Sequence, residues 1–157
     1  MAEVQAFFFK AMSRGWVGGG TFTDVLDMPG YKRFVYEDGD FKLIDQYCTR
    51  PGSNRSSGTT IIWHCNIPIW VMHYGGWYDE FAISIVKEAL KKAYGSHVFC
   101  GGRGLPTEAR KTGLTHYIYS NVVRRNDFDC FEGREEVYCV TEYALKGYHD
   151  YWGMSLL

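Results

Sequence analysis

Laid against itself at an offset of 75 residues, this chain sets strand-type residues on strand-type residues and loop on loop without a gap. Gly58 meets Gly133, each expected to end a long loop, while Lys42 to Ile44 meets Tyr117 to Tyr119, Ile62-Trp63 meets Val137-Tyr138, and Ile69-Trp70 meets Ala144-Leu145. A repeat of this length restricts the fold more than composition does, because each unit must supply the same elements in the same order. Each unit reads as one helix followed by three strands. Alone, that set cannot close a hydrophobic core, so the two units are expected to share one interior. The expected fold is therefore α+β: a duplicated αβββ unit forming a mainly antiparallel sheet, with two helices packed against it and a pseudo-twofold between the halves. Residues 1–157 are then a single domain, with repeats at about 1–76 and 77–157, a length at which one core is the ordinary outcome.

Period and punctuation define the elements. Val4, Phe7, Phe8, Ala11 and Met12 recur at helical spacing, with Gly15 placed for a left-handed cap. A second helix carries the apolar stripe Phe81, Ala82, Ile85, Val86, Ala89, Leu90 and Ala93, with Asp79 as its cap and Gly95 as its end. Between them, Phe34 to Tyr47 is interrupted by Asp38-Gly39 and reads as a hairpin or a bent strand. Arg50 to Gly58 is too polar to be more than a loop. Thr59 to Trp63 and Ile67 to Tyr74 form a hairpin about Cys65-Asn66, and Pro68 marks a side without a ladder partner. After a glycine-rich loop closed by Pro106, strands are expected at Thr115 to Val123, Glu135 to Val140 and about Tyr143 to His149.

Aromatic residues make up 17% of the chain, with Tyr 12, Phe 10 and Trp 5, a high share that suits pleated surfaces and also the walls of ligand clefts. A net charge of −1 gives no long-range attraction for phosphate backbones or acidic membranes, so direct nucleic-acid binding is not expected. No apolar run approaches the roughly 20 residues that span a bilayer. The start Met1-Ala2-Glu3 also lacks the basic residues of a signal peptide, so a cytoplasmic location without membrane contact is expected. The five cysteines form no Cys-x-x-Cys pair; they read as reduced thiols, mostly buried, with neither a disulfide framework nor a structural zinc site. Phosphate loops, dinucleotide fingerprints and His-Glu-x-x-His pairs are missing, and no cofactor or metal is assigned.

Aromatic walls with a few charged anchors are the make-up of a cleft, which selects Asp45, Trp63, Trp70, His73, Tyr74, Arg103, Tyr119 and Glu135 as ligand-binding candidates. Gly101-Gly102-Arg103-Gly104 has the composition of an anion nest, with a plain loop as the favoured reading. His73 and His149 fall near the ends of equivalent strands, where two imidazoles and Asp45 or Asp150 could hold a metal, although structural histidines are favoured. Within a strand, His64 and Cys65 would point to opposite faces, which argues against a Cys-His nucleophile. Three functions compete. The leading one is a small-molecule or protein binding and sensing module with an aromatic-lined cleft. The second is a hydrolase or lyase using Asp45, Glu135 or His73, and the third is a structural domain that forms a homodimer through exposed strand edges. Whether the chain is an enzyme stays open at this level.

The stretch from Tyr36 to Tyr47, followed by Pro68-Ile69-Trp70-Val71-Met72-His73-Tyr74-Gly75, resembles a prokaryotic domain family of unknown function. Its members read Gly-Asp-aromatic-x-Tyr-Ile-Asp-x-Tyr and later Pro-Val-Trp-x-Met-Asn-Tyr-x-Gly. Arg103-Gly104 and the run Phe131 to Tyr138 are similar to that family's Arg-Gly-Pro and Phe-x-Gly-x-Glu-x-Ile-Tyr segments. Thr59-Thr60 and Tyr148-His149-Asp150-Tyr151 depart from the family pattern. The resemblance covers nearly the whole chain. It implies a domain found alone or behind the helix-turn-helix domains of XRE-type regulators, hence binding or sensing, with no reaction assigned.

Overall fold

The computed structural model describes residues 1–157, with the side chains of all but Lys111 and Thr112. Helix α1 spans Ala2–Met12 and α2 spans Glu80–Gly95. The Asp79 carboxylate accepts from the amide of Ala82 at 2.9 Å and caps α2 as expected. Neither helix ends on a left-handed glycine: α1 stops at Ser13 in right-handed geometry and Gly15 has φ −75°, while Gly95 is the last helical residue of α2. Of the expected stripe on α2, only Phe81 fails to bury, because it lies on the solvent side of the first turn.

Nine strands form one antiparallel sheet in the order β1-β2-β3-β4-β5-β9-β8-β7-β6. They are β1 (Thr23–Asp24), β2 (Tyr31–Asp38), β3 (Phe41–Thr49), β4 (Arg55–His64) and β5 (Ile67–Tyr78) before α2. After it come β6 (Thr107–Thr112), β7 (Thr115–Asp127), β8 (Cys130–Cys139) and β9 (Ala144–Ser155). The α+β class with a mainly antiparallel sheet and two helices is as expected, but the strand count is not. Each half contributes four long or medium strands rather than three: Phe34 to Tyr47 takes the hairpin form of its two readings, as β2 and β3, and β6 arises from Thr-Glu-Ala-Arg-Lys-Thr. That run is charged rather than branched, as suits a sheet edge. The start of β4 also absorbs Arg55 to Gly58, four residues expected in a loop. Pro68 does lie where β5 has only β4 beside it, since pairing with β9 begins at Trp70.

Both helices pack on one face of this sheet. In the first half that face carries the rows Leu43-Ile62-Trp70, Asp45-Thr60-Met72 and Tyr47-Gly58-Tyr74 across β3, β4 and β5. In the second half the rows Tyr119-Val137-Gly147, Asn121-Glu135-His149 and Val123-Gly133-Tyr151 run across β7, β8 and β9. Row for row the halves correspond in position, with offsets of 76, 75 and 77 residues along the three strand pairs instead of a single 75. Gly58 and Gly133 lie inside strands rather than closing loops. A side chain at either would strike a tyrosine ring, with a Cβ 2.5 Å from Tyr74 Cζ or 2.2 Å from the Tyr151 hydroxyl.

The core fills the space between this face and the helices. Phe7, Phe8, Phe9 and Met12 descend from α1, and Ile85, Val86, Leu90 and Tyr94 from α2. Each fully buried ring adds about 2–3 kcal/mol. Trp70 is fully buried, stacks between Phe128 and Phe131 at 5.1 and 5.3 Å, and donates its indole N–H to the Phe128 carbonyl at 2.9 Å. Cys100 and Cys139 are buried, but Cys48 and Cys130 are half-buried and Cys65 is exposed, fewer buried thiols than expected. Among the described residues no helix is long and apolar enough to cross a membrane.

Candidate ligand-binding pocket

Strand alternation places Asp45 and Tyr47 of β3 on the helix-facing side, together with Tyr74 and Tyr78 of β5 and His149 of β9. Over them lie Trp16 and Val17 from the 3-10 turn Trp16–Gly18, Phe22, and Ile83, Leu90 and Tyr94 of α2. They enclose a cavity of about 400 Å³, within the usual range for a small-molecule site. Arg103 closes its floor from the loop after α2.

Four ionisable groups, Arg103, Glu135, Asp45 and His149, stand in or behind this cavity, each nearly sealed from solvent. Arg103 is 6% exposed and Glu135 fully buried, and they form an ion pair through Nε at 2.9 Å and through Nη2. Glu135 also accepts from the Tyr78 hydroxyl at 2.9 Å and the Tyr119 hydroxyl at 2.5 Å, so both of its oxygens are engaged. Burial pushes the Glu135 carboxyl upward, but the Arg103 charge and these donors outweigh it and hold it below the ordinary value. Arg103 loses solvation in the same way, and Glu135 more than restores its charge. Its Nη1 has no protein partner among the described residues.

Asp45, 5% exposed, has a different environment. Thr60 at 2.9 Å and the Tyr74 hydroxyl at 2.8 Å both donate to Oδ1, and Oδ2 has no partner among the described residues. Burial raises its pKa, opposed by these two hydrogen bonds and by the more distant charge of Arg103. The Tyr74 ring reaches Asp45 by lying across Gly58, and the Arg103 guanidinium sits 5.5 Å from the centre of that ring. His149 packs on the Tyr78 ring at 4.6 Å, and its Nδ1 is buried without a hydrogen bond. Burial and the nearby Arg103 lower its pKa to about 4, partly countered by Glu135, so the imidazole is neutral at physiological pH.

Of the eight residues singled out by sequence, the fold brings Asp45, Tyr74 and Arg103 to the cavity wall and sets Glu135 and Tyr119 directly behind Arg103. Trp70 belongs to the core. Trp63 and His73 lie on the opposite face of the sheet, where His73 stacks on Trp152 at 4.4 Å. His73 and His149 therefore face away from each other, which removes the metal site imagined between them. The anion nest also fails, because the amides of Gly101, Arg103 and Gly104 donate to Asn126, Cys100 and Tyr119. Gly101 and Gly102, with φ of 60° and 70°, instead turn the chain so that Arg103 enters the interior. His64 and Cys65 do not diverge, because Cys65 is in a turn at φ 49° and its Sγ lies 4.0 Å from His64 Nε2. Both are exposed, with Asp40 beside them. Tyr47, Tyr78 and Tyr94 are pocket residues that the sequence did not single out, and His149, considered there only as a metal ligand beside His73, lies in the pocket wall instead. Counting two residues on from Asp45 and four on from Tyr74 would have found Tyr47 and Tyr78.

Sheet, helices and cavity together define an α+β protein with an aromatic-walled pocket holding a buried arginine, a buried carboxyl group and a neutral histidine. Residues 45–154 match the family model described as domain of unknown function (DUF5680), and the chain belongs to that family. Comparisons with curated proteins and with solved structures return no significant match.

Proposed function

We propose that this protein is a binding module for a small molecule held between the helix-facing side of the sheet and α2. The observation that carries this reading is the cavity of about 400 Å³ into which Asp45 and Arg103 project from a nearly sealed setting. Burying such groups costs several kcal/mol, and a fold without a ligand to recognise gains nothing by placing them on a cavity wall. The resemblance to domains that accompany transcriptional regulators supports a sensing role. Catalysis by the residues first considered has less support: Glu135 is saturated by its donors and His73 is outside the pocket. Assembly through strand edges is likewise disfavoured by charged, six-residue β6 and two-residue β1.

Ile83 is a partly exposed member of the pocket wall, so Ile83→Trp should obstruct the cavity without disturbing the core. A fragment library screened by thermal shift should give compounds that raise the melting temperature of the native chain and not of this variant. A screen without hits, or hits that stabilise both proteins equally, would refute the pocket reading.

A further inference from the structure

The chemistry of the wall narrows what the pocket takes. Arg103 and Glu135 cancel each other, His149 is neutral, and Arg55 and Glu80 at the mouth are of opposite sign. The Asp45 carboxyl group, whenever it is ionised, therefore leaves the pocket one negative charge in excess. A buried carboxylate is ordinarily balanced by a cation, and Asp45 has only two neutral donors, both on Oδ1.

The corresponding position in the second half shows what the scaffold does when no ligand is served. There Asn121 stands in the place of Asp45, and Tyr151 crosses Gly133 as Tyr74 crosses Gly58. The Asn121 amide is fully used: Oδ1 accepts from Tyr151 at 2.6 Å, and Nδ2 donates to the carbonyls of Cys100 and Gly104 at 3.0 and 2.7 Å. Folding needs only a neutral amide at this place. The first half instead carries a carboxyl group with an unused oxygen beside a cavity that Tyr47 and Tyr78 also line, and aromatic surroundings of this kind favour a cation.

Resting on the pocket being a binding site, we propose that its ligand is a monocationic amine on an apolar or aromatic body, with its ammonium group set against Oδ2 of Asp45. The rest of the ligand fills the space bounded by Trp16, Phe22 and Leu90.

Three near-isosteric probes separate charge from shape: 2-phenylethylamine, 2-phenylethanol and phenylacetate, titrated by calorimetry at pH 7 into the native chain and into Asp45→Asn. Asparagine at the equivalent position shows that the variant can fold, and urea unfolding checks that it does. The amine should bind the native chain at least tenfold more tightly than either other probe. Asp45→Asn should abolish that preference and leave the alcohol unchanged. Preference for phenylacetate or the alcohol overturns the amine assignment while leaving the pocket reading intact, as does an amine preference that survives in Asp45→Asn. Failure of all three to bind also overturns it, whereas the pocket reading stands or falls on the fragment screen against Ile83→Trp.

Discussion

Acid should loosen this fold through one imidazole. The pKa of His149 is about 4 in the folded chain against an ordinary value of 6.5. The unfolded chain therefore takes up the proton first as pH falls. Stability from the neutral imidazole is complete above pH 6.5 and is lost progressively down to about pH 4. The interval corresponds to about 3 kcal/mol, a large share of the total for a domain of this size. The groups facing His149 are Arg103, Glu135, Tyr74, Tyr78 and the Ser56 hydroxyl, 3.4 Å from Nε2, and none can offer the imidazolium an unshared carboxylate oxygen. His149→Phe keeps a ring over Tyr78 and removes the proton site. Urea unfolding followed by tryptophan fluorescence at pH 7.5 and pH 4.0 should show the native chain losing about 3 kcal/mol more than the variant across that range. Other titrating groups drop out of the difference. Equal losses in the two proteins would show that His149 is solvated or paired, and the description of its surroundings would be wrong.

Glu135→Gln should destabilise by about 3–5 kcal/mol at pH 7, because it strands Arg103 in the interior. Since the folded pKa of Glu135 is lowered, that deficit should shrink below pH of about 4.3, where the unfolded native chain takes up a proton that the folded one does not and the native chain loses stability that the variant never had, as unfolding at pH 7 and pH 3.5 would reveal. Asp45→Asn should act in the opposite sense. A raised carboxylate pKa contributes stability only at low pH, so the variant should gain on the order of 1 kcal/mol at pH 7 and lose that advantage on acidification, as read from melting temperature. Gly58→Ala places a methyl 2.5 Å from Tyr74 Cζ and should cost about 1–3 kcal/mol, with loss of the Tyr74 to Asp45 hydrogen bond visible in the tyrosine hydroxyl proton signal.

The layers of the fold were legible because they rest on period. The α2 stripe and its Asp79 cap follow from spacing, and the hairpin about Cys65-Asn66 from two branched runs around a short turn. β6 was hidden because an edge strand needs no apolar face, and Gly58 and Gly133 looked like loop residues because glycine signals both a turn and a close approach. Asp45, Tyr74 and Arg103 were found from residue type, since charged groups among rings suggest a cleft. His149 was not, because its position opposite Glu135 depends on which strands adjoin, and pairing between β8 and β9 is set by turn lengths that period does not reveal. Trp63 and His73 were misassigned for a related reason: they lie one residue out of phase with the face that carries the pocket.

β9 follows every other strand in the chain and yet sits in the middle of the sheet, joining β5 on one side and β8 on the other. During synthesis the two halves thus have no shared edge until this strand emerges, and His149 arrives with it. The cavity wall to which His149 belongs is consequently completed only when β9 has joined β5 and β8 and closed the seam between the halves.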